Sequence, residues 1–219
     1  MNIKFSRVIK SISQSVLLIL ATTLASSSHA GLANPQVMLK KVTNATFERI
    51  ELDQANIRAN PDHLRAIIEQ ELMPMIDHKF AAFKVLGKQF RSVPKNKIQE
   101  YVDEFKQYLV SNFAVALAGY GGQELVFEPV RDAEGKKGMT VKAIIKKAGT
   151  PDIHINFKLR KVKKTQEWKT YDLEAEGISL LSSKRSEFET IIRQQGIQGV
   201  IDVMRNNNNK PLNIALNVN

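Results

Sequence analysis

Around Gln123 the chain changes its repeat: upstream, apolar residues recur every three to four positions, and downstream they recur every second one. Residues 125–130 form a short predicted strand, Gly135-Lys136-Lys137-Gly138 a turn, and Met139, Val141, Ala143 and Ile145 then alternate with Thr140, Lys142 and Ile144. After a second turn at Gly149-Thr150-Pro151-Asp152, Ile153, Ile155, Phe157 and Leu159 share one face and His154, Asn156, Lys158 and Arg160 the other. Residues 167–175 are the last predicted strand, with Tyr171 and Leu173 facing inward. About four antiparallel strands in sequential order, apolar on one side and wet on the other, need a cover for the apolar side. The helices that flank the strands in the sequence are that cover.

Residues 35–57 read as a first helix, with Val37, Met38, Val42, Ala45, Phe47, Ile50 and Leu52 roughly periodic. A second begins at Asn60-Pro61-Asp62, where Asn60 can cap, Pro61 fits the first helical position and Asp62 complements the positive end of the dipole. Leu64, Ile67, Ile68, Leu72, Met75 and Ile76 carry its stripe, and Phe80, Phe83 and Leu86 continue it. Pro74 removes the donor that would meet the Gln70 carbonyl, so a kink is expected there, with Asp77 capping a second segment. From Val93-Pro94 a third helix runs to Gly119 along Ile98, Tyr101, Val102, Phe105, Tyr108, Leu109, Phe113, Ala116 and Leu117. At nearly 40 Å by the helical rise it is long enough to cross a sheet. Beyond the strands, Ser182 or Ser183 caps a helix bearing Phe188, Ile191 and Ile192. Gly196 breaks it, and Ile197, Val200, Ile201 and Met204 close the apolar pattern. The fold class is α+β: an antiparallel sheet of about four strands covered on one face by helices. The stripe along 57–87 admits two readings, plain core or the wall of a pocket for an apolar ligand.

The first thirty residues look like an export leader. Lys4, Arg7 and Lys10 precede an apolar run at 16–25 too short to span a bilayer, and Ser28-His29-Ala30 offers small residues where a signal peptidase cuts. Cleavage after Ala30 would leave a single domain at 31–205, expected to bind lipid, and a polar, Asn-rich tail at 206–219 expected to be disordered. With no cysteine in the chain, a disulfide framework, a thiolate nucleophile and a lipoprotein anchor are all excluded. The net charge of +10 becomes +7 without the leader, which suggests an anionic membrane surface or an acidic partner, and export argues against nucleic acid.

Catalytic signatures are missing. After cleavage, His63, His78 and His154 stand apart without ligand spacing, so no metal site is expected; there is no GxSxG elbow, and Gly119-Tyr120-Gly121-Gly122 lacks the lysine and hydroxyl of a phosphate loop. Asp172 and Glu174 share a strand face and could be paired as acids, but the face opposite Leu173 is expected to be wet. Lys142, Lys158, Arg160, Lys161, Lys163 and Lys164 make that face and its rim basic. No enzyme and no cofactor is expected; a binding protein is.

Three blocks carry a family likeness: RANPDHLRAIIEQELMPMID followed after His78 by KFAAFKVLG; the helix end FAVALAGYGGQ; and WKTYDLEAEGISLLSSKRSEFETIIRQQGIQGVIDVM. In this order they resemble the MlaC family of periplasmic phospholipid-binding proteins, across roughly residues 38–204. The resemblance implies that sheet and helices enclose an apolar tunnel for acyl chains, in a monomeric carrier whose cargo is a phospholipid. It would move between an outer-membrane lipoprotein complex and the ring subunit of an inner-membrane ABC transporter, maintaining outer-membrane lipid asymmetry. It implies no catalytic residue. For the acyl chains it points to Ile178 with Tyr171, Leu173 and Leu180 beside it, and to a helical wall of Leu72, Met75, Ile76, Phe80, Phe83 and Leu86. Val102, Phe105, Leu109 and Phe113 on the long helix, and Val141, Ile155 and Phe157 on the strands, complete the expected lining. A chaperone or adaptor that takes an apolar peptide segment is the alternative; it would need an open strand edge, which a lipid tunnel does not.

Overall fold

Asn34 and Pro35 start the first helix as their chemistry dictates. The Asn34 side chain accepts from the Gln36 amide at 2.9 Å and Pro35 occupies the first turn, opening α1 (Pro35–Leu52). The computed structural model describes residues 34–130, 133 and 135–212; residues 1–33, which hold the expected leader, residues 131, 132 and 134, and residues 213–219 lie outside it. The chain continues through α2 (Gln54–Ala59) and α3 (His63–Ile67), passes Pro74, and resumes as α4 (His78–Leu86) and α5 (Ile98–Ala118). A five-stranded antiparallel sheet follows: β1 (Glu124–Phe127), β2 (Gly138–Lys146), β3 (Ile153–Lys161), β4 (Trp168–Ala175) and β5 (Ile178–Ser179), in the order β1-β2-β3-β4-β5. The last element is α6 (Leu180–Asn208). No helix among the described residues is long and apolar enough to cross a membrane.

The buried face of α1 is not the one its apolar residues suggest. Leu39, Thr43, Thr46 and Ile50 are buried, while Val37 and Leu52 are 63% and 74% exposed. Both threonine hydroxyls donate back to the helix, Thr43 to the Leu39 carbonyl at 2.9 Å and Thr46 to the Val42 carbonyl at 2.8 Å. Each therefore enters the interior with its donor satisfied and behaves as a methyl-bearing core residue.

Pro74 breaks the second helix as expected. Residues 68–72 widen into a π-helical turn, 73–75 tighten into a 3₁₀ turn, and Ile76 leaves helical geometry to pair with Thr170 of β4. Asp77 then caps α4, accepting from the Phe80 amide at 3.1 Å, and its own amide donates to the Thr170 carbonyl at 2.8 Å.

Two apolar cores result. The larger is helical: Leu64, Ile67 and Ile68 meet Tyr101, Phe105 and Val110 of α5 and Phe188, Val200, Ile201 and Met204 of α6. The smaller lies on one face of the sheet, where Val141, Ala143, Ile155, Phe157, Leu159 and Trp168 pack with Leu39 and Met75. The long helix α5 does not serve as a lid across the sheet; its packing partners are α6, α4 and α3. At 21 residues it spans about 31 Å.

Strand β4 joins the two cores through a bulge. Lys158 pairs with Asp172, but Leu159 pairs with Thr170, so Tyr171 is an extra residue. The expectation that Tyr171 and Leu173 share a face is corrected here: Tyr171 packs with the helical core and Leu173 with the sheet core. The wet face expected around Asp172 is also corrected. Its side chain is 6% exposed and accepts from the Ser179 hydroxyl at 2.8 Å and the Leu181 amide at 3.1 Å, holding the first turn of α6. The cap itself is Ser179, which accepts from Ser182 at 3.0 Å, rather than Ser182 or Ser183.

Gly196 interrupts α6 with φ 67° and ψ −170°, a conformation essentially confined to glycine. Beyond it the helix runs on through Asn208, whose amide nitrogen donates to the Glu104 carboxylate at 3.0 Å; Leu212 is buried in the helical core. Residues 206–212 are thus docked, where the composition suggested a disordered tail. Replacing Asp172 by alanine leaves the α6 donors without their acceptor. It is expected to cost roughly 1–3 kcal/mol, read as a lower urea midpoint, whereas an unchanged midpoint would mean the carboxylate does not hold the helix.

Candidate functional site

The sheet core differs from the helical core in how completely it is sealed. Leu39, Val141 and Leu159 at its centre are 0%, 0% and 1% exposed. Around them Met38, Val42, Leu72, Leu125, Phe127, Met139, Ile145, Leu173 and Ala175 are only partly buried. In the helical core the fully buried members outnumber the partly buried; on the sheet face the proportion is reversed. The result is a seam between α1, the turn at Leu72–Met75 and the sheet, packed along the middle and half-open along its margins.

The residues expected to line a lipid site fall into three groups. Met75, Val141, Ile155, Phe157 and Leu173 meet on the seam, and Leu72 touches both cores. Ile76, Leu86, Val102, Phe105 and Leu109 are buried in the helical core, with Phe83, Phe113 and Tyr171 packed against it. These stripes are satisfied by helix–helix packing: Tyr108 of α5 lies 5.9 Å from Phe188 of α6 between ring centroids, and Tyr101 donates to the Ala82 carbonyl at 3.0 Å. The remaining three stand apart. Phe80 makes an edge contact with Tyr171 at 5.2 Å under the Arg160 guanidinium, Leu180 is half-buried, and Ile178 is 68% exposed. Register nevertheless puts Ile178 opposite Ala175 and hence on the seam's side of the sheet, at its margin with Ile153.

Leu39, Val42, Ala143, Leu159 and Trp168 are seam residues that the sequence reading left out. The alternation on β2 and β3 contained Ala143 and Leu159; Leu39 was hidden because Thr43 and Thr46 break the apolar repeat.

On the opposite sheet face, Lys158 and Arg160 are each paired with acidic neighbours. Lys158 reaches Glu174 at 2.8 Å and Asp172 at 3.4 Å, and the bond from Glu174 raises the Lys158 pKa above its ordinary value. The Lys158 ammonium, followed by the Asn156 amide, in turn holds Glu174 below the usual carboxylate range. Arg160 pairs with Asp77 and covers the Phe80 ring at 4.1 Å, fixing α4 to the sheet. His78 beside it is held below 6.5 by burial and then by the nearby Lys106. Asp172 and Glu174 are therefore engaged in structure rather than set as a catalytic pair. Among the described residues no group of three or more His, Cys, Asp or Glu is arranged to hold a metal ion. A groove of about 530 Å³ elsewhere on the surface, between Val93–Lys97 and the α6 kink, contains none of the expected lining residues.

The MlaC protein family is matched over residues 40–206. A protein of Haemophilus influenzae, the intermembrane phospholipid transport system binding protein MlaC, is 27% identical over 180 residues, which cover 82% of this chain and 84% of that one. In structure, the chain is similar to a phospholipid-binding protein of Ralstonia solanacearum solved in complex with a phospholipid. The TM-score is 0.71 at 21% identity, over 80% of this chain and 97% of the other. With the match running through all five strands and the helices of the larger core, the chain belongs to the MlaC protein family.

Proposed function

We infer that this protein is a phospholipid carrier whose cargo lies with its acyl chains in the seam between α1, the Leu72–Met75 turn and the apolar sheet face. The half-open seam carries the reading: aliphatic and aromatic side chains of α1, the Leu72–Met75 turn and the sheet meet on it, and it is less sealed than the neighbouring core. The names of the Haemophilus and Ralstonia relatives, both tied to phospholipid, support the cargo. Each methylene removed from water is worth about 0.8 kcal/mol, so two acyl chains cannot travel free in water but are held readily in a dry slot. Loading then amounts to replacing side-chain contacts of Leu39, Val42, Leu72 and Leu173 by acyl contacts of the same chemistry.

The finer reading follows from the leader and the family. Residues 1–30 direct export, cleavage follows Ala30, and the mature monomer shuttles phospholipid across the periplasm. Its partners are an outer-membrane lipoprotein complex and the ring subunit of an inner-membrane ABC transporter, and the traffic maintains outer-membrane lipid asymmetry. The relative's assignment to an intermembrane phospholipid transport system supports this route. No step needs a nucleophile, a metal or a cofactor, because the cargo is moved and not changed. Release comes from partner-driven widening of the seam rather than from weak binding.

Protein purified under non-denaturing conditions from Gram-negative cells is expected to yield diacyl phospholipid on solvent extraction and mass spectrometry; extracts containing peptide, or no lipid together with no uptake from vesicles, would overturn the reading. A second expectation concerns Ala175, partly buried on the seam side of β4. Ala175→Trp fills the slot without adding charge and should lower bound phospholipid per protein by more than about half. The circular-dichroism spectrum should stay unchanged; full loading would place the acyl chains elsewhere.

A further inference from the structure

At one end of the sheet the chain builds a rigid basic tip. The turn between β3 and β4 is closed by the Val162 amide donating to Glu167 at 2.8 Å, the Gln166 amide to Val162 at 2.7 Å and the Gln166 side chain to Lys163 at 2.7 Å. Gln166 sits at φ 60° within it. This network holds Lys163 and Lys164 at the apex, both exposed, beside the half-buried Lys161 and Lys169. Among the described residues none of these four lysines forms an ion pair, and Glu167 is the one acidic residue of residues 161–169. The neighbouring loop is tied to the same tip, since the Lys161 amide donates to the Lys137 carbonyl at 2.9 Å. Lys161 lies over the Trp168 ring at 5.2 Å, and Trp168 belongs to the seam. The basic tip therefore stands directly over the end of the apolar seam formed by Met139, Leu159 and Trp168.

We propose that this tip is a docking surface for the anionic headgroups of a phospholipid bilayer, presenting the Trp168 end of the seam to the membrane. The composition selects the bilayer over an acidic protein. The apex exposes lysines without an exposed aliphatic or aromatic residue among 161–169, and lysine is depleted at the cores of protein–protein interfaces, which need an apolar anchor. A headgroup layer requires only positive charge held near its surface, and flexible ammonium groups meet phosphates at no fixed geometry. Attraction of this kind decays within a Debye length of about 8–10 Å, so docking is reversible and does not compete with the return journey. The purpose assigned to the contact rests on the phospholipid-carrier reading; the contact itself does not.

The test is flotation of the purified full-length mature chain with vesicles of phosphatidylethanolamine containing roughly one-third phosphatidylglycerol, against vesicles of phosphatidylcholine alone, at about 0.1 M salt. Wild-type protein is expected to float with the anionic vesicles only. The variant K163E/K164E should lose about 25-fold or more in apparent affinity, at about fivefold per lysine, while extraction of the same samples shows unchanged bound phospholipid. Equal flotation with both vesicle types, equal flotation of the variant, or no flotation of the wild type overturns the proposal, the last leaving the tip to an acidic protein partner. Loss of bound phospholipid from both proteins, with flotation intact, would instead count against the carrier reading and leave the docking surface standing.

Discussion

The free edge of β4 is the joint on which the rest of the structure depends. An unpaired strand edge inside a protein must find donors and acceptors. Here Thr170 is met by Ile76 and the Asp77 amide, residues 174–175 by β5, and the carboxylate of Asp172 by the first turn of α6. The contacts at Thr170 and Asp172 tie helical elements to the sheet, and β5 leads directly into α6. The bulge at Tyr171 completes the joint by sending that side chain into the helical core while Leu173 stays with the sheet. One strand thereby serves two cores, so the apolar face of the sheet is positioned by the helices without being sealed by them.

That division leaves a sealed helical core and a half-open apolar face side by side in one chain. The helical core takes the long stripes of α3, α5 and α6 and closes them with little left half-exposed, which is what stability without disulfides requires. The seam takes the smaller share and remains only partly buried at its edges. Half-buried apolar side chains are the least costly to displace, because the water they still contact has already been conceded. Pro74 contributes at this point: its turn lets the chain leave the helical core, place Met75 against the sheet and return as α4.

Much of this was legible in the sequence. The change of period marked the sheet, the alternation on β3 gave its apolar face, Pro74 and Asp77 marked the break, and the three blocks of family-like sequence pointed to the family. Three features were not legible, each for a physical reason. Threonines that return their hydroxyls to the helix look polar in sequence and are apolar in effect, so the buried face of α1 was misplaced. A bulge of one residue leaves no mark in a strand pattern, so Tyr171 was assigned to the wrong side. Helical stripes do not state their partner: Val102, Phe105 and Leu109 pair with other helices, although the same spacing would suit a wall facing the sheet.

The central claim is that acyl chains occupy the sheet seam and not the helical core. It is tested most directly by loading the protein with a phospholipid carrying a photoactivatable diazirine in its acyl chain, irradiating, and locating the labelled residues by mass spectrometry. Labels on Val141, Ile155, Phe157, Leu173 and the Leu72–Met75 turn are the predicted result. Labels concentrated on Val102, Phe105 and Leu109 of α5 would contradict it.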